Sequence, residues 1–159
     1  MITFDRRMIL LTILFSILSA ASGFSHAQIK SASSIPESNL IEPSDLAGLL
    51  KKSALPKPVI LHVGFRKLYA QAHIPDSDYA GPGGDDEGLK SLSVRVEKIP
   101  KDASIVIYCG CCPWSRCPNV AAAYAKLLDM GFTQVKVLHI ADNFGTDWVD
   151  KGFPAITSP

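Results

Sequence analysis

The stretch ASIVIYCGCCPWSRCPNVAAAYAKLLDMGF, residues 103–132, decides the fold of this chain. It begins with a short apolar run of the kind that forms a buried strand, and it ends in the clearest helical pattern of the sequence. Pro118 suits the first turn of that helix, where no amide hydrogen is needed, and Gly131 suits its C-terminal cap. A buried strand, a loop and a helix in this order predict part of a parallel βαβ arrangement.

The same alternation extends to both sides of this stretch. Two more apolar runs predict buried strands at residues 57–64 and 133–140. Helical spacing predicts helices within residues 40–53, 65–73 and 88–100, and a short one around Trp148. Residues 74–88 are dense in Pro, Gly and Asp and predict a loop with a solvated acidic turn. The alternation predicts an α/β fold with a central, mostly parallel sheet flanked by helices.

The first 27 residues have the three parts of a secretory signal peptide. Arg6 and Arg7 form a short positive region, residues 8–18 are almost entirely apolar, and small residues precede a cleavage point after Ala27. The apolar run is shorter than the roughly 20 residues that span a membrane. We therefore expect cleavage, an exported protein that is secreted or periplasmic, and no stable membrane anchor afterwards.

The remaining 132 residues suit one domain with an ordinary core. Residues 28–39 are polar and Ser-rich and predict a flexible lead-in, so the domain is expected at residues 40–159. The whole chain has 16 basic and 15 acidic side chains. The predicted signal peptide removes two basic and one acidic residue, which leaves a balance of zero. This balance gives no reason to expect a nucleic acid as partner.

All four cysteines lie in the loop after the strand of the opening stretch: Cys109, Cys111, Cys112 and Cys117. Cys109 ends the strand, and ligands of parallel sheets bind beyond the carboxyl ends of strands. The start of the following helix offers amide hydrogens and a partial positive charge, which favour a thiolate. Arg116 adds a positive charge that would bind an anionic substrate. The pattern predicts a reactive thiol in an anion-binding loop.

Three motifs resemble the rhodanese family of sulfurtransferases. VILHVGFRKLYAQAHIPDS at residues 59–77 is similar to the family's strand, helix and HIPGA-type turn. SIVIYC at residues 104–109 is similar to the strand that delivers the family's active-site cysteine, and DWVDKGFP at residues 147–154 resembles its closing W…GyP segment. The resemblance covers about residues 40–156. The chain departs from the family in its strand ending, His62-Val63-Gly64 instead of DVR, and in a loop with about five extra residues.

The resemblance implies a single-domain sulfurtransferase without a cofactor or resident metal. Cys109 matches the family's catalytic cysteine. It would take sulfane sulfur from a small anionic donor such as thiosulfate, hold it as a persulfide, and pass it to a thiol acceptor or redox partner protein. Loop amides would hold the outer sulfur, in a substrate-binding loop that contains Gly110, Pro113, Trp114, Ser115 and Arg116.

The cysteine pattern also leaves three other roles open. Cys111, Cys112 or Cys117 can resolve an oxidised Cys109 by thiol–disulfide exchange. A structural disulfide, Cys109–Cys117 or Cys112–Cys117, can close the enlarged loop, because export leads to an oxidising compartment. Thiolates within nine residues can bind a soft metal ion such as Cu(I), although this spacing differs from that of zinc sites.

Overall fold

The computed structural model describes residues 35–52 and 57–157, so the predicted signal peptide lies outside the described residues. Ile35 is buried in the core, and a 3₁₀ turn follows at Glu37–Asn39, so packed structure already exists before Leu40. Within the described ranges, no helix has both the length and the apolar character needed to span a membrane.

A parallel five-stranded sheet forms the centre of the protein, in the order β1-β5-β4-β2-β3. The strands are β1 Leu40–Ile41, β2 Val59–His62, β3 Asp78–Tyr79, β4 Ile105–Tyr108 and β5 Val135–Leu138. The three central strands are those predicted from the apolar runs, and every residue of β4 is buried. The predicted α/β class with a parallel sheet is confirmed.

Both edge strands differ from the expectation raised by the sequence. β1 occupies residues that were expected to begin a helix, and β3 lies in the segment expected to be loop. Each has only two residues, which is too short to show the alternation that identifies a strand. Each edge strand is defined by its pairing with a longer strand. Leu40 lies opposite Val137 of β5, and Asp78 lies opposite Leu61 of β2.

Four helices connect the strands, and their positions follow from recognisable end signals. They are α1 Pro43–Lys51, α2 Arg66–Gln71, α3 Asp86–Arg95 and α4 Pro118–Asp129, with a 3₁₀ turn at Trp114–Arg116 and a π-helical turn at Gly145–Val149. Pro118 opens α4, and Gly131 follows it with φ +86°, as predicted.

The composition of the acidic segment before α3 suggested a solvated turn, but this segment also caps the helix. The side chain of Asp85 accepts a hydrogen bond from the Gly88 amide at 2.7 Å and caps the helix. Asp86 and Glu87 then lie in the first turn, where negative charge is favourable.

Helices cover both faces of the sheet. Leu92 of α3 and Leu127 of α4 belong to the core on one face, whereas Leu46 of α1 and Trp148 belong to the core on the other. The Trp148 side chain is fully buried, and its Nε1 donates to the Pro154 carbonyl oxygen at 2.8 Å. With both faces covered, the carboxyl edge of the sheet remains as the place for a site.

Candidate active site

Cys109 follows the last residue of β4 and lies beside the end of β2. His62 pairs with Tyr108 across these two strands, which brings the loops after both strands together. Cys109 is buried, with 2% of its surface exposed. A Cβ atom on Gly64 would lie 2.6 Å from the Cys109 Sγ and 2.9 Å from the Cys109 carbonyl oxygen, so a side chain there would force Cys109 to shift.

Several donors surround the Cys109 sulfur. The Asn119 Nδ2 donates to it at 3.4 Å, and the Cys111 Sγ lies 3.3 Å away. The neighbouring Cys117 thiol has the largest effect and, with Cys111 and Asn119, outweighs burial and lowers the Cys109 pKa to about 6. The same contact raises the Cys117 pKa. The contact therefore favours the thiolate form of Cys109 and the neutral form of Cys117.

Cys111 and Cys112 form the outer part of the cluster. The Cys111 side chain is exposed, its Sγ lies 3.1 Å from the Cys112 Sγ, and all four cysteines are free thiols. Burial of the sulfur, the contact with Cys112 and the neighbouring Cys109 raise the Cys111 pKa to about 12. Cys111 is thus a neutral thiol beside the Cys109 thiolate.

Asn119 is a site residue that the sequence reading missed. Its side chain is buried; besides the bond to Cys109, its Oδ1 accepts from the Gly84 amide at 2.8 Å. A Cβ atom on Gly83 would collide with the Asn119 carbonyl oxygen. Asn119 therefore links the start of α4 and the glycine-rich segment to the reactive sulfur. The available signal was an amide side chain directly after Pro118, at the start of the helix that follows the cysteines.

A cavity of about 520 Å³ opens beside Cys109. Apolar side chains from α2 and from the segment around the π-helical turn form much of its wall: Leu68, Ala72, Phe144 and Val149. Its polar lining consists of His62, Gln71, Cys109, Cys111 and Asn143, and Gly110 and Gly145 complete it. Among the described residues that line this cavity there is no Lys or Arg.

His62 lines the cavity as a neutral ring. Burial lowers its pKa to about 4, against the opposing effect of a hydrogen bond with the Cys109 backbone. Its Nδ1 accepts from the Gly64 amide at 3.3 Å, and its ring contacts Tyr69 and Tyr108 edge-on. At neutral pH the cavity therefore contains one charged group, the Cys109 thiolate.

Solved structures of rhodanese-like domains have this arrangement of sheet and helices. The rhodanese-like domain of the Alr3790 protein from Anabaena sp. matches with a TM-score of 0.55 and 20% identity, over 75% of this chain and 79% of that chain. The chain has a rhodanese-like fold. The BH2092 protein from Bacillus halodurans matches with a TM-score of 0.59 and 21% identity, over 76% of this chain and 78% of that one.

The rhodanese-like fold also matches one part of a larger enzyme. The anaerobic ergothioneine biosynthesis enzyme from Chlorobium limicola, in complex with trimethyl histidine, matches with a TM-score of 0.55 and 22% identity. The match covers 74% of this chain but 27% of that one. The sequence matches no protein-family model and no curated protein.

Of the residues predicted for the substrate-binding loop, Gly110 is the one that lines the cavity. Its φ is +87°, a left-handed conformation that favours glycine, and a Cβ there would lie 2.7 Å from the Cβ of Phe144. The Phe144 amide donates to the Gly110 carbonyl oxygen at 3.1 Å. Gly110 thereby joins the cysteine loop to the opposite wall of the cavity.

The remaining loop residues, Pro113, Trp114, Ser115 and Arg116, are not part of the cavity lining. They form the 3₁₀ turn and lie against the end of β5, where the Trp114 amide donates to the Ile140 carbonyl oxygen at 2.9 Å. The amides of Arg116 and Cys117 also donate to carbonyl oxygens within the loop. The extra residues of the loop thus form a turn that packs against the end of β5. The amides of Trp114, Arg116 and Cys117 already donate to carbonyl oxygens, so they are not directed at a substrate.

The site also groups three sulfur atoms. The Sγ atoms of Cys109, Cys111 and Cys117 all lie within 4.8 Å of one another. The arrangement provides one nucleophilic thiolate, neutral thiols beside it, and a set of soft ligands next to a largely apolar cavity.

Proposed function

We propose that this protein is a sulfurtransferase that carries sulfur as a persulfide on Cys109. The observation that supports this best is the position of the Cys109 Sγ, at the carboxyl end of β4 and on the wall of a cavity large enough for a small donor. The thiolate is the nucleophilic form of cysteine. With a pKa of about 6, Cys109 is mostly thiolate at neutral pH.

The proposed reaction has two displacement steps. The Cys109 thiolate attacks the outer sulfur of thiosulfate, the S–S bond of the donor breaks, and sulfite leaves with the bonding electron pair. A nucleophile such as cyanide or a thiolate then attacks the outer sulfur of the persulfide and restores the Cys109 thiolate. Asn119, which donates to the Cys109 sulfur, would stabilise negative charge in both steps.

The cavity lining influences which donor is favoured. A dianion such as thiosulfate gains no attraction from Lys or Arg in this cavity, whereas an alkyl persulfide can place its carbon chain against Leu68 and Phe144. Within the proposed sulfur transfer, we therefore expect thiosulfate to react with a high KM and an alkyl persulfide to react at lower concentration.

Intact mass spectrometry tests the proposal. The reduced protein is treated with thiosulfate or with an alkyl persulfide, its mass is measured, and cyanide is then added. We expect a gain of one sulfur atom that cyanide removes as thiocyanate and that Cys109→Ser abolishes. A protein that gains no sulfur from either donor, while retaining its fold by circular dichroism, would contradict the proposal.

A thiol–disulfide function is the second candidate, and the position of Cys117 favours it. Its Sγ lies within 4.8 Å of the Cys109 Sγ, so after losing its proton it can reach an oxidised or persulfidated Cys109. Attack on the inner sulfur of a Cys109 persulfide forms a Cys109–Cys117 disulfide and expels hydrosulfide. Peptide mapping after treatment with a mild oxidant distinguishes this disulfide from one involving Cys111 or Cys112.

We also propose that the protein acts after export. The support is the pattern of residues 1–27, with its basic start, apolar run and small residues before Gln28. N-terminal sequencing of the protein recovered from an expressing cell tests this, and a mature chain that begins at Gln28 is the expected result. A chain that retains residues 1–27 would contradict it.

A further inference from the structure

Three thiols, two of which line the cavity, are arranged as a metal-ligand set. The Sγ atoms of Cys109, Cys111 and Cys117 lie within 4.8 Å of one another, and the Cys109–Cys111 distance is 3.3 Å. Metal–thiolate bonds are about 2.3 Å long, so sulfur atoms around one three-coordinate ion lie roughly 4 Å apart. The separations in the structure, from 3.3 Å to no more than 4.8 Å, bracket that spacing.

The type of ligand in this group indicates which metal ion it favours. In the part of the chain that the structure describes, the group contains three sulfur ligands and no imidazole or carboxylate. Soft thiolates favour Cu(I) over hard cations, and structural zinc sites are usually four-coordinate. Cys112 is not part of the group, although its Sγ lies 3.1 Å from that of Cys111.

The burial of two of the cysteines and the exposure of the third also suit a bound ion. Cys109 and Cys117 are 2% and 1% exposed, whereas Cys111 is exposed and offers the ion a first contact from solvent. The Asn119 Nδ2 already donates to Cys109, and α4 begins directly after Cys117, so its N-terminal partial charge lies next to the sulfurs. Both features offset the negative charge of a thiolate complex.

We propose that Cys109, Cys111 and Cys117, in their reduced state, bind one Cu(I) ion in a three-sulfur site. Each ligand that is still protonated loses its proton on binding, so loading releases protons and involves no change in the oxidation state of copper or sulfur. Because the ion occupies the Cys109 sulfur, copper binding and persulfide formation exclude each other. Copper binding itself does not depend on the proposed sulfur transfer.

Anaerobic competition with a chromogenic Cu(I) chelator tests the site in the reduced protein. We expect one Cu(I) per chain and an affinity that falls at least about 100-fold in Cys109→Ser, Cys111→Ser and Cys117→Ser. Cys112→Ser is the matched control and should change the affinity no more than about threefold. Competition that shows no saturable 1:1 binding overturns the proposal, and so does a Cys112→Ser variant that loses as much affinity as Cys111→Ser.

X-ray absorption of the Cu(I)-loaded wild-type protein gives a second measurement that requires no variant to fold. Three sulfur neighbours at about 2.3 Å are expected. Two sulfur neighbours, or a nitrogen or oxygen in the first shell, overturn the three-sulfur assignment. A Zn(II) titration of the Cu(I)-loaded protein completes the test. If Zn(II) displaces Cu(I) from the site, the assignment to Cu(I) is overturned. None of these results depends on whether thiosulfate loads sulfur onto Cys109.

Discussion

The side-chain amide of Asn119 joins two parts of the protein at the reactive sulfur. Its nitrogen donates to the Cys109 Sγ at 3.4 Å, and its oxygen accepts from the Gly84 amide at 2.8 Å. Because Asn119 lies in the first turn of α4 and Gly84 lies before α3, the environment of the thiolate depends on how these two helices pack. Asn119 is thus a positioning residue for the cysteine loop as well as a donor to the thiolate.

Replacing Asn119 should shift the titration of Cys109. In Asn119→Ala the thiolate loses a donor, and a hydrogen bond to a charged group contributes about 1.5–3 kcal/mol, so the pKa should rise by about one unit. The rate of alkylation by iodoacetamide, measured from pH 5 to 9, gives this pKa directly. Asn119→Asp is the matched variant, and its negative charge should raise the pKa further. An unchanged midpoint in both variants would show that the 3.4 Å contact has no electrostatic effect.

Cys117 should control the reactivity of Cys109 more strongly than Asn119. Its thiol provides the largest of the effects that lower the Cys109 pKa to about 6. In Cys117→Ala the pKa should therefore rise toward that of an ordinary thiol, and alkylation of Cys109 at pH 7 should slow by roughly tenfold.

Cys117→Ser provides the control for this experiment, because its hydroxyl can still donate to the thiolate. Its alkylation rate should lie between those of the wild type and Cys117→Ala. Equal alkylation rates for the wild type and Cys117→Ala, with both proteins folded, would show that the Cys117 thiol does not lower the Cys109 pKa. To isolate Cys109, Cys111 and Cys112 are replaced by serine in all the proteins compared.

A side chain at Gly64 should destabilise the protein. A Cβ atom at this position would lie 2.6 Å from the Cys109 Sγ and 2.9 Å from the Cys109 carbonyl oxygen. Gly64→Ala should therefore reduce the free energy of unfolding by roughly 1–3 kcal/mol, as overpacking usually does. Urea denaturation measures this change.

Gly48 offers a matched alanine substitution in the same protein. It lies inside α1, and no atom lies within 4 Å of where its Cβ would be. Gly48→Ala should raise the free energy of unfolding by about 0.5–1 kcal/mol, because alanine is the better helix former. If both substitutions changed stability equally, the contact at Gly64 would not be the cause.

The protein should lose stability as the pH falls from 6.5 to 4. Burial lowers the folded-state pKa of His62 to about 4, below the unfolded-state value of 6.5, so the unfolded chain binds more protons in this window. The contribution of the neutral ring is complete above pH 6.5 and decreases as the pH falls, by at most roughly 3 kcal/mol.

Urea denaturation at pH 7 and pH 4.5 measures this loss, in a Cys109→Ala background that removes the titration of the thiolate. In His62→Gln, which can still accept from the Gly64 amide, the loss should be smaller by about 2 kcal/mol. The same pH dependence in both proteins would assign it to other groups.

Much of the site could be predicted because it depends on residues that are close in the sequence. An apolar run, four cysteines and a proline-led helix place Cys109 at the end of β4 and before α4, without reference to the rest of the chain. The role of the 3₁₀ turn could not be found this way. Arg116 has the charge of an anion-binding residue, yet the turn docks on the end of β5 through Trp114 and Ile140, and Arg116 is not part of the cavity lining.

The sequence by itself determined the α/β class, the central strands β2, β4 and β5, and the position of the cysteines, because apolar periodicity and helix-end signals act over a few residues. Only the tertiary structure decided which groups meet the sulfur. Asn119, Gly64 and the neutral wall around Phe144 reach Cys109 from other elements through packing of the sheet and helices. Such contacts depend on distances between residues far apart in the chain, and no local pattern encodes them.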